Sequence, residues 1–131
     1  MIEQTDLIIT KWNYDAALQH ADDTTNKYLG TISLQVMKKR TAEKKGIACR
    51  FSCVYTLDEK IILECAGEDS YVIDVRDVID HNELHTMLQN SYSKFKEKFD
   101  FRKMITILWN QHLPTFNEKL YDVEPVLQLL N

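Results

Sequence analysis

IACRFSCVYTL (residues 47–57) decides how the rest of this chain is read. Ile47, Cys49, Phe51, Cys53, Tyr55 and Leu57 fall on one face at a period of two, and Arg50, Ser52 and Thr56 fall on the other. Such alternation marks a strand with one covered and one open face. A sheet therefore runs through this part of the chain, and something else in the sequence must cover its apolar side.

Strand signals continue on both sides. Downstream, LDEK makes a tight turn into IILECA (61–66) and SYVIDV (70–75), which flank GEDS. These are two short strands or one long strand with a bulge at Gly67. Upstream, YLGTISLQVMKK (28–39) places Tyr28, Ile32, Leu34 and Val36 on one face, and the charged loop KKRTAEKKG (38–46) joins it to the central strand. LIITKWNYDA (7–16) is rich in β-branched and aromatic residues and reads as a further strand, followed by a polar loop, Ala17–Lys27.

Helical spacing takes over after Asp80. Asp80 with Glu83 forms a capping-box pattern, and Leu84, Met87, Leu88, Tyr92, Phe95 and Phe99 recur at helical intervals. The stripe jumps at Asp100 and resumes as Phe101, Met104, Ile105, Leu108 and Trp109, so the helix kinks there or a new one starts with Asp100 as its cap. Gln111-His112-Leu113-Pro114 ends it. A last helix starts near Asp122, with Pro125 in its first turn. Strands followed by helices in 131 residues predict one α+β domain. Its sheet is antiparallel, and two C-terminal helices cover one face.

Composition narrows the function classes. Apolar content is 44%, charged content 27% and net charge −4, ordinary for a globular domain and unfavourable for non-specific nucleic-acid binding. The basic run Lys38, Lys39, Arg40, Lys44, Lys45 has no interleaved aromatic residues to stack bases, and reads as a solvated hairpin tip. No apolar run approaches the roughly 20 residues that span a bilayer, and MIEQTDLIITKW does not read as a signal peptide. Cys49, Cys53 and Cys65 are expected to be reduced, buried thiols of a cytoplasmic protein. HNELH (81–85) spaces two histidines as metal ligands are spaced, but Glu83 sits where a cap needs it and no third ligand is evident, so no metal is expected. P-loop, C-x-x-C and G-x-S-x-G patterns are missing, and the chain does not read as an enzyme.

Three stretches carry a resemblance to a known family. NYDA (13–16), FSCVYTLDEKIILECAGEDSYVID (51–74) and LPTFNEKLYDV (113–123) resemble, in order, the end of the first strand, the hairpin into the last strand and the helix-joining segment of the SecB family of export chaperones and its SecB-like relatives. The resemblance implies a single domain over 1–131 with a four-stranded antiparallel sheet and two helices on one face. It implies a dimer or tetramer that holds unfolded polypeptides in open apolar grooves, with no cofactor and no ATP. On that basis Phe116, Leu120, Tyr121, Val126, Leu127 and Leu130 line the groove, Asp15, Ile62 and Glu64 meet a SecA-type motor, and Leu108 and Trp109 sit at a subunit interface. The partners implied are unfolded chains, the motor, or an antitoxin guarded by a relative outside export. Two departures stand out: QNSYSKFKEKFDF (89–101) replaces a Pro-rich aromatic helix start, and Lys11 or Trp12 stands at an acidic motor position. The alternatives are a ligand or active-site pocket lined by Tyr55, Asp74, His85 and His112, and a module dedicated to one folded partner.

Overall fold

The chain forms, in order, β1 (Ile2–Gln4), β2 (Ile8–Tyr14), β3 (Tyr28–Arg40), β4 (Lys44–Leu57), β5 (Lys60–Asp74), α1 (His81–Lys103) and α2 (Glu124–Leu130). The structure is a computed structural model describing residues 2–15, 28–106, 108–116 and 121–131, with Leu129 by its backbone alone. The polar loop expected at 17–27 lies outside the described residues. One antiparallel sheet runs β1-β5-β4-β3, and β2 pairs with β5 beyond β1.

The alternation in β4 does what its pattern requires. Ile47, Cys49, Phe51, Cys53, Tyr55 and Leu57 are all buried. From β5, Leu63, Cys65, Tyr71 and Ile73 join them on the same side. α1 lays Leu84, Met87, Leu88, Phe95 and Phe99 over this surface. Each such side chain removed from water contributes roughly 1.5–3 kcal/mol.

Three expectations about the elements are corrected. Among the described residues the sheet has five strands rather than four, because a short strand, Ile2–Gln4, precedes the expected first one across a break at Thr5–Leu7. Thr5 N–H still donates to Ser70 O at 2.9 Å, but Leu7 drops into the core. Gly67 makes room there: a Cβ on it would stand 2.7 Å from Phe95 Cδ1 and 3.0 Å from Leu7 Cδ2. Of the two readings of residues 61–75, the one long strand holds, as β5, but its bulge does not lie at Gly67, past which β5 runs in register with β4. The register slips instead between Tyr55 and Thr56, opposite Ile62. Finally, no new helix starts at Asp100, because α1 runs on to Lys103. Lys96 and Lys103 reach the Asp100 carboxylate at 2.9 and 3.3 Å from within the same helix. The apolar stripe simply ends there, and Phe101, Met104 and Ile105 face water.

The apolar C-terminus is tied down. Asp122 Oδ1 accepts from Glu124 N–H at 3.1 Å at the start of α2, and Pro125 follows in the first turn. The Asn131 amide pairs with the backbone of Ile79, accepting at 3.2 Å and donating at 2.8 Å. Buried Lys45 bonds Asp77 O and, at 3.3 Å, Asn131 Oδ1. His81 Nε2 meets Glu124 Oε1 at 2.6 Å, linking the starts of the two helices. The first histidine of HNELH thus pairs with a carboxylate, while Asp80 caps α1 by accepting from Glu83 N–H at 2.8 Å.

Candidate polypeptide-binding surface

Between the helices, residues 111–116 form a segment without regular structure held by three of its carbonyls. Lys103 Nζ donates to Gln111 O, Tyr55 OH to His112 O at 2.5 Å, and Tyr92 OH to Pro114 O at 2.8 Å. Burial pushes the Tyr55 and Tyr92 phenols above their ordinary pKa, so both stay protonated donors at neutral pH. Gly30 lets the segment lie close, since a Cβ there would stand 2.7 Å from the Tyr55 ring and 3.0 Å from Pro114 Cγ.

This pinning delivers Phe116 to an aromatic strip. Its ring lies 5.6 Å from Phe51, 6.1 Å from Tyr92 and 6.5 Å from Tyr121, in edge-on or tilted geometry. Phe51 is fully buried, but Tyr92, Phe116 and Tyr121 are each only partly covered. Beside them, Ile32, Leu34 and Val36 of β3 point to the helix-covered side and are also half-buried. Together these six residues make an apolar shelf that packs on the core and remains partly open to water. Periodicity marked the β3 residues as inward-facing, and only the incomplete helix cover makes them a surface.

Other expected groove residues are placed differently. Val126, Leu127 and Leu130 are 4, 7 and 1% exposed, because α2 turns its apolar side to the subunit core. Leu120 lies outside the described residues. Among the residues of the alternative pocket, Tyr55 and Asp74 lie far apart. Asp74 pairs with Lys44 and Tyr55 with Leu63, about 35 Å apart along the strand at 3.3 Å per residue. Asp74 is engaged by Arg76 at 3.1 Å. His85 Nδ1 is buried without a hydrogen-bond partner, and His112 contributes its backbone carbonyl to Tyr55. The three cysteines are free and buried, with Cys53 directly opposite Cys65.

The chain is similar to the SecB-like chaperone Rv1957 of Mycobacterium tuberculosis, solved in complex with a ChAD peptide from the Rv1956 HigA1 antitoxin. The TM-score is 0.55 at 9% sequence identity, over 88% of this chain and 90% of that one. The chain has the SecB-like fold. It is also similar to a protein of unknown function from Streptococcus agalactiae, with a TM-score of 0.47 and 12% identity, over 89% of this chain and 97% of the other. No family model matches the chain, and no curated protein matches it in sequence.

Within this SecB-like fold, Asp15, Ile62 and Glu64 do come together at the end of the β2–β5 ladder, where Asp15 N–H donates to Ile62 O at 2.8 Å. The slip opposite Ile62 turns its side chain into the core and leaves Ile61 half exposed on the surface. Glu64 is engaged by Lys11 at 2.6 Å. Leu108 is likewise core, folded under by the turn after α1, whereas Trp109 is 64% exposed. Phe101, Met104 and Ile105 are 81, 70 and 88% exposed and form, with Trp109, an apolar set after the end of the helix stripe. No described helix is long and apolar enough to cross a membrane.

Proposed function

We propose that this chain is an ATP-independent holdase that keeps unfolded polypeptides from aggregating by holding extended segments on its apolar shelf. The observation that carries the reading is the half-covered state of Ile32, Leu34, Val36, Tyr92, Phe116 and Tyr121. A client side chain laid over them gains roughly 25 cal/mol per Å² of apolar surface removed from water, and a folded protein has no such chain to offer. The peptide ligand of the similar Rv1957 chaperone supports a polypeptide as occupant. The Lys11–Glu64 ion pair favours clients or an antitoxin over an export motor, because it neutralises the carboxylate that a motor contact needs. Phe101, Met104, Ile105 and Trp109 become the contact between copies in a dimer or tetramer. The three free, buried thiols fit a reducing cytoplasm.

Light scattering of a chemically unfolded client, diluted into buffer with and without this protein, tests the reading. Suppression of aggregation at a few subunits per client, without nucleotide, is expected. Unchanged aggregation at a several-fold subunit excess overturns it.

A further inference from the structure

Two of the three cysteines stand face to face. Cys53 of β4 lies directly opposite Cys65 of β5, and both side chains point into the core, 0 and 2% exposed. Their thiols are hydrogen-bonded to each other. The ladder fixes the spacing. Val75 N–H donates to Glu43 O at 3.1 Å, and Glu43 stands opposite Val75 in the register of Lys44↔Asp74. Bonded pairs alternate along an antiparallel ladder, and no slip intervenes before Tyr55. Cys53 and Cys65 therefore form a hydrogen-bonded pair, with Cα atoms about 5.5 Å apart. That separation lies within the range disulfides span. The Cβ atoms of such a pair stand about 5.5 Å apart, whereas a disulfide draws them to about 3.5–4.5 Å. Closure needs a local shift of about 1 Å, and a strained disulfide is easily reduced again. Cys49 has no such partner: it is about 13 Å from Cys53 along the same strand and stands opposite Asp69.

The pair lies between the two anchors of segment 111–116. On β4, Phe51 precedes Cys53 by two residues and meets the Phe116 ring at 5.6 Å, while Tyr55 follows it by two and holds His112 O at 2.5 Å. Phe51, Cys53 and Tyr55 are buried on the same face. A shift of the β4 backbone at Cys53 reaches both contacts that place Phe116 on the shelf.

We propose that Cys53 and Cys65 are a reversible redox switch: peroxide closes a disulfide between them, and the closed form holds unfolded chains less well. This rests on the chain-holding function proposed above and adds its regulation. In the resting protein the pair is protected. The hydrogen bond with Cys65, and then burial, hold the Cys53 thiol far above its ordinary pKa, so reaction follows local opening of the β4–β5 hairpin. One thiolate then attacks an oxygen of hydrogen peroxide. The O–O bond breaks, a sulfenic acid forms, and the departing hydroxide takes a proton and leaves as water. The second thiolate attacks the sulfenic sulfur, the S–O bond breaks, and a second hydroxide leaves as water. The two sulfurs lose two electrons, the peroxide gains them, and both thiol protons end in water.

The test treats the full chain with hydrogen peroxide, in buffer and in urea below the unfolding transition, followed by acid quench, alkylation and trypsin. Cleavage after Lys45, Arg50, Lys60 and Arg76 puts each cysteine on its own peptide, 46–50, 51–60 and 61–76. The expected result is loss of two of the three free thiols, a mass lower by two hydrogens, peptides 51–60 and 61–76 linked, and Cys49 still free. Reduced glutathione restores all thiols. The oxidised protein needs several-fold more subunits to suppress aggregation of an unfolded client, and glutathione reverses this. Thiols that stay unreacted even in urea, a link through Cys49, a link between subunits, or single sulfurs carrying extra oxygen overturn the proposal. So do a disulfide that glutathione leaves closed and one that leaves client holding unchanged. An equal loss of holding in peroxide-treated Cys65→Ser assigns the effect to other residues and also overturns it. If the reduced protein suppresses no aggregation, the holdase reading fails, while the linked peptides still decide the disulfide.

Discussion

Replacing Phe116 with alanine separates a surface residue from a core plug. Phe116 touches the rings of Phe51, Tyr92 and Tyr121, yet is only partly buried. A fully buried Phe→Ala change costs about 3–5 kcal/mol, part of it for the cavity left behind. That range is expected for Phe51, which is completely buried and stacks on Phe95 at 5.7 Å. At Phe116 about two-thirds or more of the transfer contribution is lost, and no closed cavity forms because the site opens to water. The expected cost of Phe116→Ala is therefore about 1–2 kcal/mol. With a urea slope of about 1–3 kcal/mol per molar, the midpoint moves down by about 0.3–2 M at unchanged slope. The same variant, still folded, should need several-fold more subunits to suppress client aggregation. Urea titration followed by tryptophan fluorescence, with light scattering on the same preparations, reads both. A loss of stability as large as that of Phe51→Ala, with suppression intact, would refute the reasoning and make Phe116 a core residue.

Other consequences can be measured on single variants. Asp58 and Glu59 hold φ at 50° and 68° in the two-residue β4–β5 turn, so changing them to Asn-Gly, which tolerate positive φ, should raise stability by about 1 kcal/mol; a lower unfolding midpoint contradicts this. Gly67→Ala drives a Cβ to 2.7 Å from the Phe95 ring and should cost about 1–3 kcal/mol by calorimetry, whereas a neutral change would show that Leu7 and Phe95 yield freely. Burial raises the Asp69 carboxyl pKa, against hydrogen bonds from Ser91 and Gln4 that lower it. A raised pKa gives a contribution to stability that is fully present below the unfolded value of about 3.9 and is lost as pH rises through the folded one. The melting temperature of the wild type should therefore gain on that of Asp69→Asn as pH falls from 7 toward 4, and parallel profiles would contradict the assignment. Trp109→Asp combined with Ile105→Asp should lower the native mass toward the 15.4 kDa subunit without loss of helix signal, and an unchanged oligomer would place the contact elsewhere.

Much of the fold was legible in the chain because local patterns and tertiary needs agree. The period-two row of β4 named six buried residues, and the spacing from Leu84 to Phe99 named the helix face laid on it. The cap at Asp80 and the start of α2 after Asp122 followed from side chains that satisfy nearby N–H groups. Of the features the sequence misplaced, one depends on a partner distant along the chain and another on neighbours a helical turn away. The break at Thr5–Leu7 exists because Gly67, sixty residues later, leaves a hole for Leu7. Asp100 looks like a cap by its neighbours in sequence, and lysines one turn away on either side hold it inside the helix instead.

The surface divides in the same way. Alternation and helical spacing determined which residues turn inward, because a strand and a helix each fix side-chain direction locally. How far inward they go was settled only by tertiary structure. Val126, Leu127 and Leu130 look no more buried in sequence than Phe116 and Tyr121, yet α2 seals the first three and leaves the other two half open. Cover is a property of what packs from the opposite side, and no local pattern records where two helices stop short of a strand.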